Sequence, residues 1–312
     1  MMRLPLLAMP ASSSAAAHPH AGGMLFGFLG VLSFSFTLPA TRAAVASLDP
    51  MIVGLGRGVV AACLALPLLF LTRQRRPTMA QVRALAIVAM GVIVGFPVFS
   101  AWAMCHCDAS HGAVVLGLLP LATAIAGVWR ASDRPSPAFW CASVLGSLTV
   151  AVYALSAGGG AFRPADLALV AAVMSAAIGY AEGGRLAREL GGWQVISWAV
   201  VLAAPVLIFP LSWLVWRHGL TATPGAWAGF LYLGLVSSFL GFFAWYHGLA
   251  AGGVARVSQL QLLQPFFTLA FASLFFGENM TFGGAVCAVL VAGSVYASKR
   301  CRVGGVRDVK VA

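Results

Sequence analysis

Charge is scarce in this sequence: 9% of its 312 residues are Asp, Glu, Lys or Arg and 61% are hydrophobic, whereas a soluble domain carries roughly 25% charged residues. So few polar side chains cannot coat a water-soluble globule. Acids are scarcest, eight against 19 basic residues, and none falls at the centre of an apolar run, so a carboxylate proton relay is not evident. The sequence also lacks paired intramembrane aspartates, a Gly-x-Ser-x-Gly elbow and a His-Glu-x-x-His helix, which argues against a membrane-embedded enzyme. Its six cysteines are scattered, mostly inside apolar runs, and imply no disulfide framework. Cys105-His106-Cys107-Asp108 with His111 are metal-ligand types, but a C-x-C spacing without a second pair is a weak metal pattern. Neither a metal nor a cofactor is expected.

Apolar runs of bilayer length are present in number, at 24–41, 51–71, 82–104, 111–129, 137–156, 166–184, 193–216, 226–247, 254–276 and 280–298. The expectation is an all-α membrane protein of ten transmembrane helices. With the N-terminus inside, 13 of the 19 basic residues lie in cytoplasmic segments, three (Arg42, Arg163, Arg217) in outer loops and three (Arg57, Arg83, Arg256) in helices. The positive-inside rule therefore predicts both termini in the cytoplasm, and it accounts for the net charge of +11 without a nucleic-acid partner. Residues 1–23, with an apolar stretch broken by Pro5 and Pro10, read as a disordered cytoplasmic tail rather than a cleaved signal, and 299–312 as a basic cytoplasmic tail.

Sliding the sequence on itself by 145 positions brings Pro120 onto Pro265 and Asp133 onto Glu278, each acid following its proline by 13 positions. Each copy reads as a proline-broken helix, a short loop opened by an acid, and a terminal helix. Copies beginning five spans apart enter the membrane from opposite sides, so 24–156 and 165–298 are expected to form two inverted five-helix repeats.

The segment GFFAWYHGLAAGGVARVSQLQLLQPFFTLAFASLFFGENMT, residues 241–281, resembles the ten-helix EamA-type permeases of the drug/metabolite transporter superfamily. HGAVVLGLLPLATA, residues 111–124, is a weaker first copy, and Asp49-Pro50 followed by Arg57 resembles the second helix of that family. Ser132-Asp133-Arg134 stands where the family usually has Gly-Glu. The resemblance, from about 24 to 298, implies a secondary carrier in a bacterial cytoplasmic membrane, often an exporter of amino acids or related metabolites. Its partners are then a small-molecule substrate and the lipid bilayer, with the chain acting as monomer or homodimer.

Several residues are candidates for the mechanism. Pro265 lacks an N–H and frees the carbonyl of Gln261 one turn earlier, which in lipid needs another partner. Ser258 and Gln261, with Gln264 alongside, form a polar stripe on that helix, either contacting substrate or hydrogen-bonding between helices. The matching first-half stripe, ending at Pro120, is apolar. Arg57, about two turns into its span, either faces a cavity or snorkels to the headgroups. Glu182 either pairs with Arg185 or serves an inner gate, with Gly183 and Gly184 as a hinge. Trp102, Tyr180, Trp198, Trp245, Tyr246 and His247 line a pathway or form interfacial belts. Glu278 reads as a cap on the last helix, and Gly54/Gly58 and Gly91/Gly95 as close helix contacts. The favoured function is an alternating-access exporter of small metabolites such as amino acids; efflux of drugs or cationic compounds, a channel and an embedded enzyme are the alternatives.

Overall fold

Helix starts in this chain follow its short polar residues. Asp49 accepts the N–H groups of Met51 (2.8 Å) and Ile52 (3.2 Å) to open one helix at Pro50. Thr78 and Gln81 form a capping box, and Thr223 accepts the Ala226 N–H ahead of Pro224. The computed structural model describes residues 19–107, 112, 115–158, 164–276, 282–301 and 303–304. Asp108, His111 and Glu278, and most of the two tails, lie outside the described residues.

The described elements are α1 (Gly22–Val45, with a turn at Phe36), α2 (Pro50–Leu71), α3 (Met79–Met104), α4 (Leu119–Ala131) and α5 (Pro137–Gly158). They continue with α6 (Pro164–Leu190), α7 (Gly192–His218), α8 (Pro224–Gly252), α9 and α10 (Phe282–Arg300). α9 joins Val254–Ser258 to Gln264–Phe276 through a 3-10 turn at Gln259–Leu263. Among the described residues, six helices (α1, α2, α3, α6, α7 and α8) are long and apolar enough to cross a membrane by length and composition. The one strand pairing described, Arg134–Pro135 with Val303–Gly304, ties the loop after α4 to the chain beyond α10. Bulky apolar side chains point outward, Phe70 82% and Phe209 81% exposed, as expected where the solvent is lipid.

Prominent pairings are α1 with α8, α2 with α7, α3 with α6, α4 with both α6 and α9, α1 with α9, and α5 with α10. α1 and α8 run antiparallel along their full lengths, Gly23 beside Gly252 at one end and Ala40 beside Gly229 toward the other. α3 and α6 are also antiparallel, and a Cβ on Gly91 would lie 2.6 Å from the Ser175 carbonyl oxygen and 2.8 Å from Gly179 Cα. The GxxxG-spaced glycines thus serve contacts inside the chain: Gly54 lies against the Val98 backbone, Gly58 against Ile93 and Leu207. Both α3 and α8 widen into a π-helix, at Ala89–Gly95 and Leu233–Leu240, and these segments start 144 and end 145 positions apart.

Because the Gly91 contact meets backbone on the far side, Gly91→Val is expected to destabilise the protein by about 1–3 kcal/mol, read as a lower unfolding midpoint in detergent. Gly293→Ala, in open space on α10, is the control and should leave the midpoint unchanged.

Candidate functional site

The geometry of the interior is organised by Arg57, which α2 buries to 3% exposure. Its Nε donates to Ser238 Oγ and its Nη2 to Ser237 Oγ, both at 2.6 Å. The serines are consecutive residues in the π-helical part of α8. Its wider turn separates successive side chains by a smaller angle than an α-helix does, so both hydroxyls reach one guanidinium. Ser237 Oγ also shares a 2.8 Å hydrogen bond with Thr37 Oγ1 of α1. Among the described residues no carboxylate pairs with Arg57, and the ionisable side chains acting on it are the phenols of Tyr180 and Tyr232.

Arg57 lines an internal cavity with Thr37, Ser237, Tyr180 and Gln264, and the apolar remainder of the wall is Phe34, Val92, Phe96, Leu119 and Phe242. These come from α1, α2, α3 and α4 and from α6, α8 and α9, so both halves of the sequence contribute. The space among these side chains is tight, its free room about that of one water. Among the described residues the Tyr180 hydroxyl and the Gln264 amide make no hydrogen bond, nor does Arg57 Nη1. Three polar groups from three helices therefore meet in one closed space with bonding capacity unspent.

The remaining sequence candidates are placed elsewhere. Ser258 is fully buried, but its hydroxyl is shared between the carbonyls of Ala255 (2.9 Å) and Pro120 (3.4 Å), which joins α9 to α4. Gln261 does not line the cavity; its amide nitrogen and oxygen are buried without partners, as are those of Gln259. The Gln261 carbonyl freed by Pro265 accepts the N–H of Gln264 in the 3-10 turn, so a local i→i+3 bond replaces the ligand or side chain that the sequence suggested. Pro120 sits in the first turn of α4, where a missing N–H costs nothing. Trp102 lies over His106 and is 38% exposed, and exposed His247 meets Phe26 edge-on, so neither faces the cavity. Trp245 and Tyr246 are fully buried in an aromatic cluster with Phe34, Tyr180 and Phe242.

Below that cluster, Glu182 is 3% exposed and held by two arginines: Oε2 takes Arg130 Nε at 2.9 Å and Oε1 takes Arg185 Nη2 at 2.6 Å. The pair with Arg185 was legible at i+3; the bond across to α4 was not. α6 continues without a break through Gly183 and Gly184. A Cβ on Gly183 would overlap the Tyr246 ring, so these glycines make room for α8 rather than open a hinge in this structure. Asp133, in the loop after α4, accepts the Ala255 N–H at 2.7 Å and thus caps α9 rather than the helix that follows it; Arg188 of α6 approaches its other oxygen at 3.7 Å. Burial pushes the Asp133 carboxyl above the usual carboxylate range, against the opposing pull of Ala255 N–H and Arg188. Among the described residues no group of His, Cys, Asp and Glu could hold a metal.

Sequence reasoning missed Thr37, Ser237 and Ser238. The adjacent serines in Leu-Val-Ser-Ser-Phe-Leu were visible as polar residues in an apolar run, but the π turn that aims both at Arg57 left no signal.

The sequence profile of the EamA-like transporter family matches residues 21–155 and again 163–298. The chain is 45% identical over 278 residues, 86% of its length and 93% of the relative's, to "Uncharacterized transporter YdeK" of Bacillus subtilis (strain 168). It is 26% identical over 205 residues, 65% of its length and 68% of the relative's, to "Probable terminal-alkyne amino-acid exporter" of Streptantibioticus cattleyicolor. A solved crystal structure covering 89% of this chain and 98% of its own has a TM-score of 0.72 at 17% identity, a likeness of fold alone.

The Asp133 cap predicts a graded response. Asp133→Ala leaves a buried N–H without its acceptor and should cost about 0.5–2 kcal/mol, whereas Asp133→Asn keeps an acceptor oxygen. Since the folded-state value of Asp133 is raised, its ionised form costs the fold stability at neutral pH, and that cost shrinks as pH falls through the raised value. Asp133→Asn should therefore melt at or above the parent at neutral pH, with the difference closing in acid.

Proposed function

We propose that this chain, which belongs to the EamA-like transporter family, exports small carboxylate metabolites, amino acids or related compounds, through the cavity around Arg57. Membership makes it a membrane-spanning transporter and not an enzyme, and implies a small-molecule substrate and a lipid bilayer as partners. The name of the Streptantibioticus relative supports the export of an amino-acid-like compound. The observation that carries the reading is the buried Arg57 guanidinium, held among the described residues by hydroxyls alone and lining an interior cavity.

Ten spans in two inverted repeats, 24–156 and 165–298, fit the packing. Exchanging the halves maps α1–α8 onto α6–α3 and α4–α6 onto α9–α1 and leaves α2–α7, α4–α9 and α5–α10 as they are, so this set of pairings is unchanged by the exchange. The two π segments at equivalent positions support the same duplication. Alternating access follows physically: a site walled by both halves changes its exposure when one half rocks against the other. Glu182 with Arg130 and Arg185, and Asp133 with Arg188 and Ala255, bolt α4 to α6 and α9 at the end predicted to be cytoplasmic, between the tails 1–23 and 299–312. These contacts and the aromatic layer above them form an inner gate in this reading. The bacterial inner membrane, with both termini inside, is supported by the basic-residue asymmetry. The monomer encloses the whole cavity and is taken as the transporting unit. Efflux of cationic compounds is disfavoured because the fixed charge of the cavity is positive.

In proteoliposomes, Arg57→Gln should weaken apparent substrate affinity about 10- to 100-fold, the worth of a charged hydrogen-bonded contact, and Ser237→Ala with Ser238→Ala should impair it less. Saturable flux unchanged by Arg57→Gln would remove the cavity from the pathway.

A further inference from the structure

We propose that the species carried is a small carboxylic acid in its monoanionic form, with an apolar or aromatic body and no free ammonium group. This rests on the reading of the Arg57 cavity as the substrate site and narrows it.

Charge at one buried place discriminates among the candidate cargoes. Arg57 brings one positive charge, and the other polar groups on the wall, Thr37, Ser237, Tyr180 and Gln264, are neutral. The described acids are committed elsewhere. Asp49 caps α2, Asp133 caps α9 beside Arg188, and Glu182 and Glu189 bind arginines at the end of α6. Asp166 lies in the first turn of α6, about four turns from Tyr180 along the helix. A carboxylate on the free edge of Arg57 cancels the charge and restores the pairing that a buried guanidinium requires. An α-amino acid zwitterion brings a second cation with it. Its ammonium would leave water for hydroxyls and an amide, with no carboxylate among the described residues to receive it, and the loaded site would keep a net positive charge at membrane depth. A monoanion leaves the loaded site neutral.

The rest of the wall fits such a molecule. Phe34, Phe96 and Phe242 offer apolar faces for its body. Beside them, the unspent Tyr180 hydroxyl and Gln264 amide can donate to or accept from a neutral polar group next to the carboxylate, such as a keto, hydroxyl or acylamino function. Neither group needs the ligand to be charged.

The test uses the full-length protein reconstituted in liposomes and probes matched in body but not in charge. These are phenylpyruvate, N-acetylphenylalanine, phenylalanine and phenethylamine, with 2-oxoisocaproate and leucine as an aliphatic pair. Saturable flux and ligand-induced thermal stabilisation are both measured, in the parent, Arg57→Gln and Arg57→Lys. The expected result is that the monoanions bind at least tenfold tighter than the zwitterion of the same body and that phenethylamine does not bind. Arg57→Gln should abolish the preference, and Arg57→Lys, which keeps the charge, should retain part of it. If phenylalanine or leucine binds as well as its monoanionic partner and still depends on Arg57, the charge assignment is wrong while the site reading stands. If no probe binds in an Arg57-dependent way, the proposal and the site reading fall together.

Discussion

A guanidinium taken out of water with no carboxylate beside it must be held by dipoles that the surrounding helices can aim at it, and much of this interior follows from that requirement. Arg57 receives two hydroxyls from consecutive positions on α8, and one of these is tied in turn to Thr37 on α1. An α-helical turn would send Ser237 and Ser238 in more divergent directions. The π segment Leu233–Leu240 is therefore part of the site, although it presents only two small side chains to it. The hydroxyls satisfy part of the guanidinium and leave an edge toward the cavity, the edge on which the proposed anion site rests.

Everything around that site depends on helices approaching closely. α1 against α8 and α3 against α6 cross at glycines where a methyl group would strike backbone. In lipid, where apolar surfaces gain little by meeting one another, such contacts supply the packing attraction that holds the bundle. The same closeness leaves the cavity nearly without free room. Under the proposed reading, a substrate larger than water is admitted by separation of the helices. The ion pairs of Glu182 and the Asp133 cap lie where α4 of one half meets α6 and α9 of the other, so that separation must stretch or break them.

The sequence legibly carried the membrane character, the positions of the long helices and the family, because each depends on composition and order along the chain. Asp49-Pro50, noted for its resemblance to the family's second helix, does open a helix, with Asp49 as its cap. Arg57, Tyr180 and Gln264 were each noticed as polar residues in apolar surroundings, and their convergence on one cavity was not, since they lie far apart in chain order. Their neighbours Trp102 and His247 looked equivalent and face elsewhere, because aromatic residues at span ends serve interfaces as readily as pathways. The polar stripe of α9 was real as a stripe, yet Ser258 spends its hydroxyl on backbone and only Gln264 reaches the cavity.

By itself, then, the sequence determined that lipid is the solvent, where helices run, and which few charges would be buried at a cost. Those properties are local, fixed by residue type and by spacing within a turn or two. Tertiary structure alone decided that Pro265 closes its own gap through a 3-10 bond, that Asp133 caps a helix of the other half, and that Arg57 meets serines rather than an acid. Each of these outcomes is set by which helix lies across from which. That choice is made by the close crossings at glycine, whose spacing showed in the chain without showing the partner helix, and by the π turns, which leave no periodic pattern.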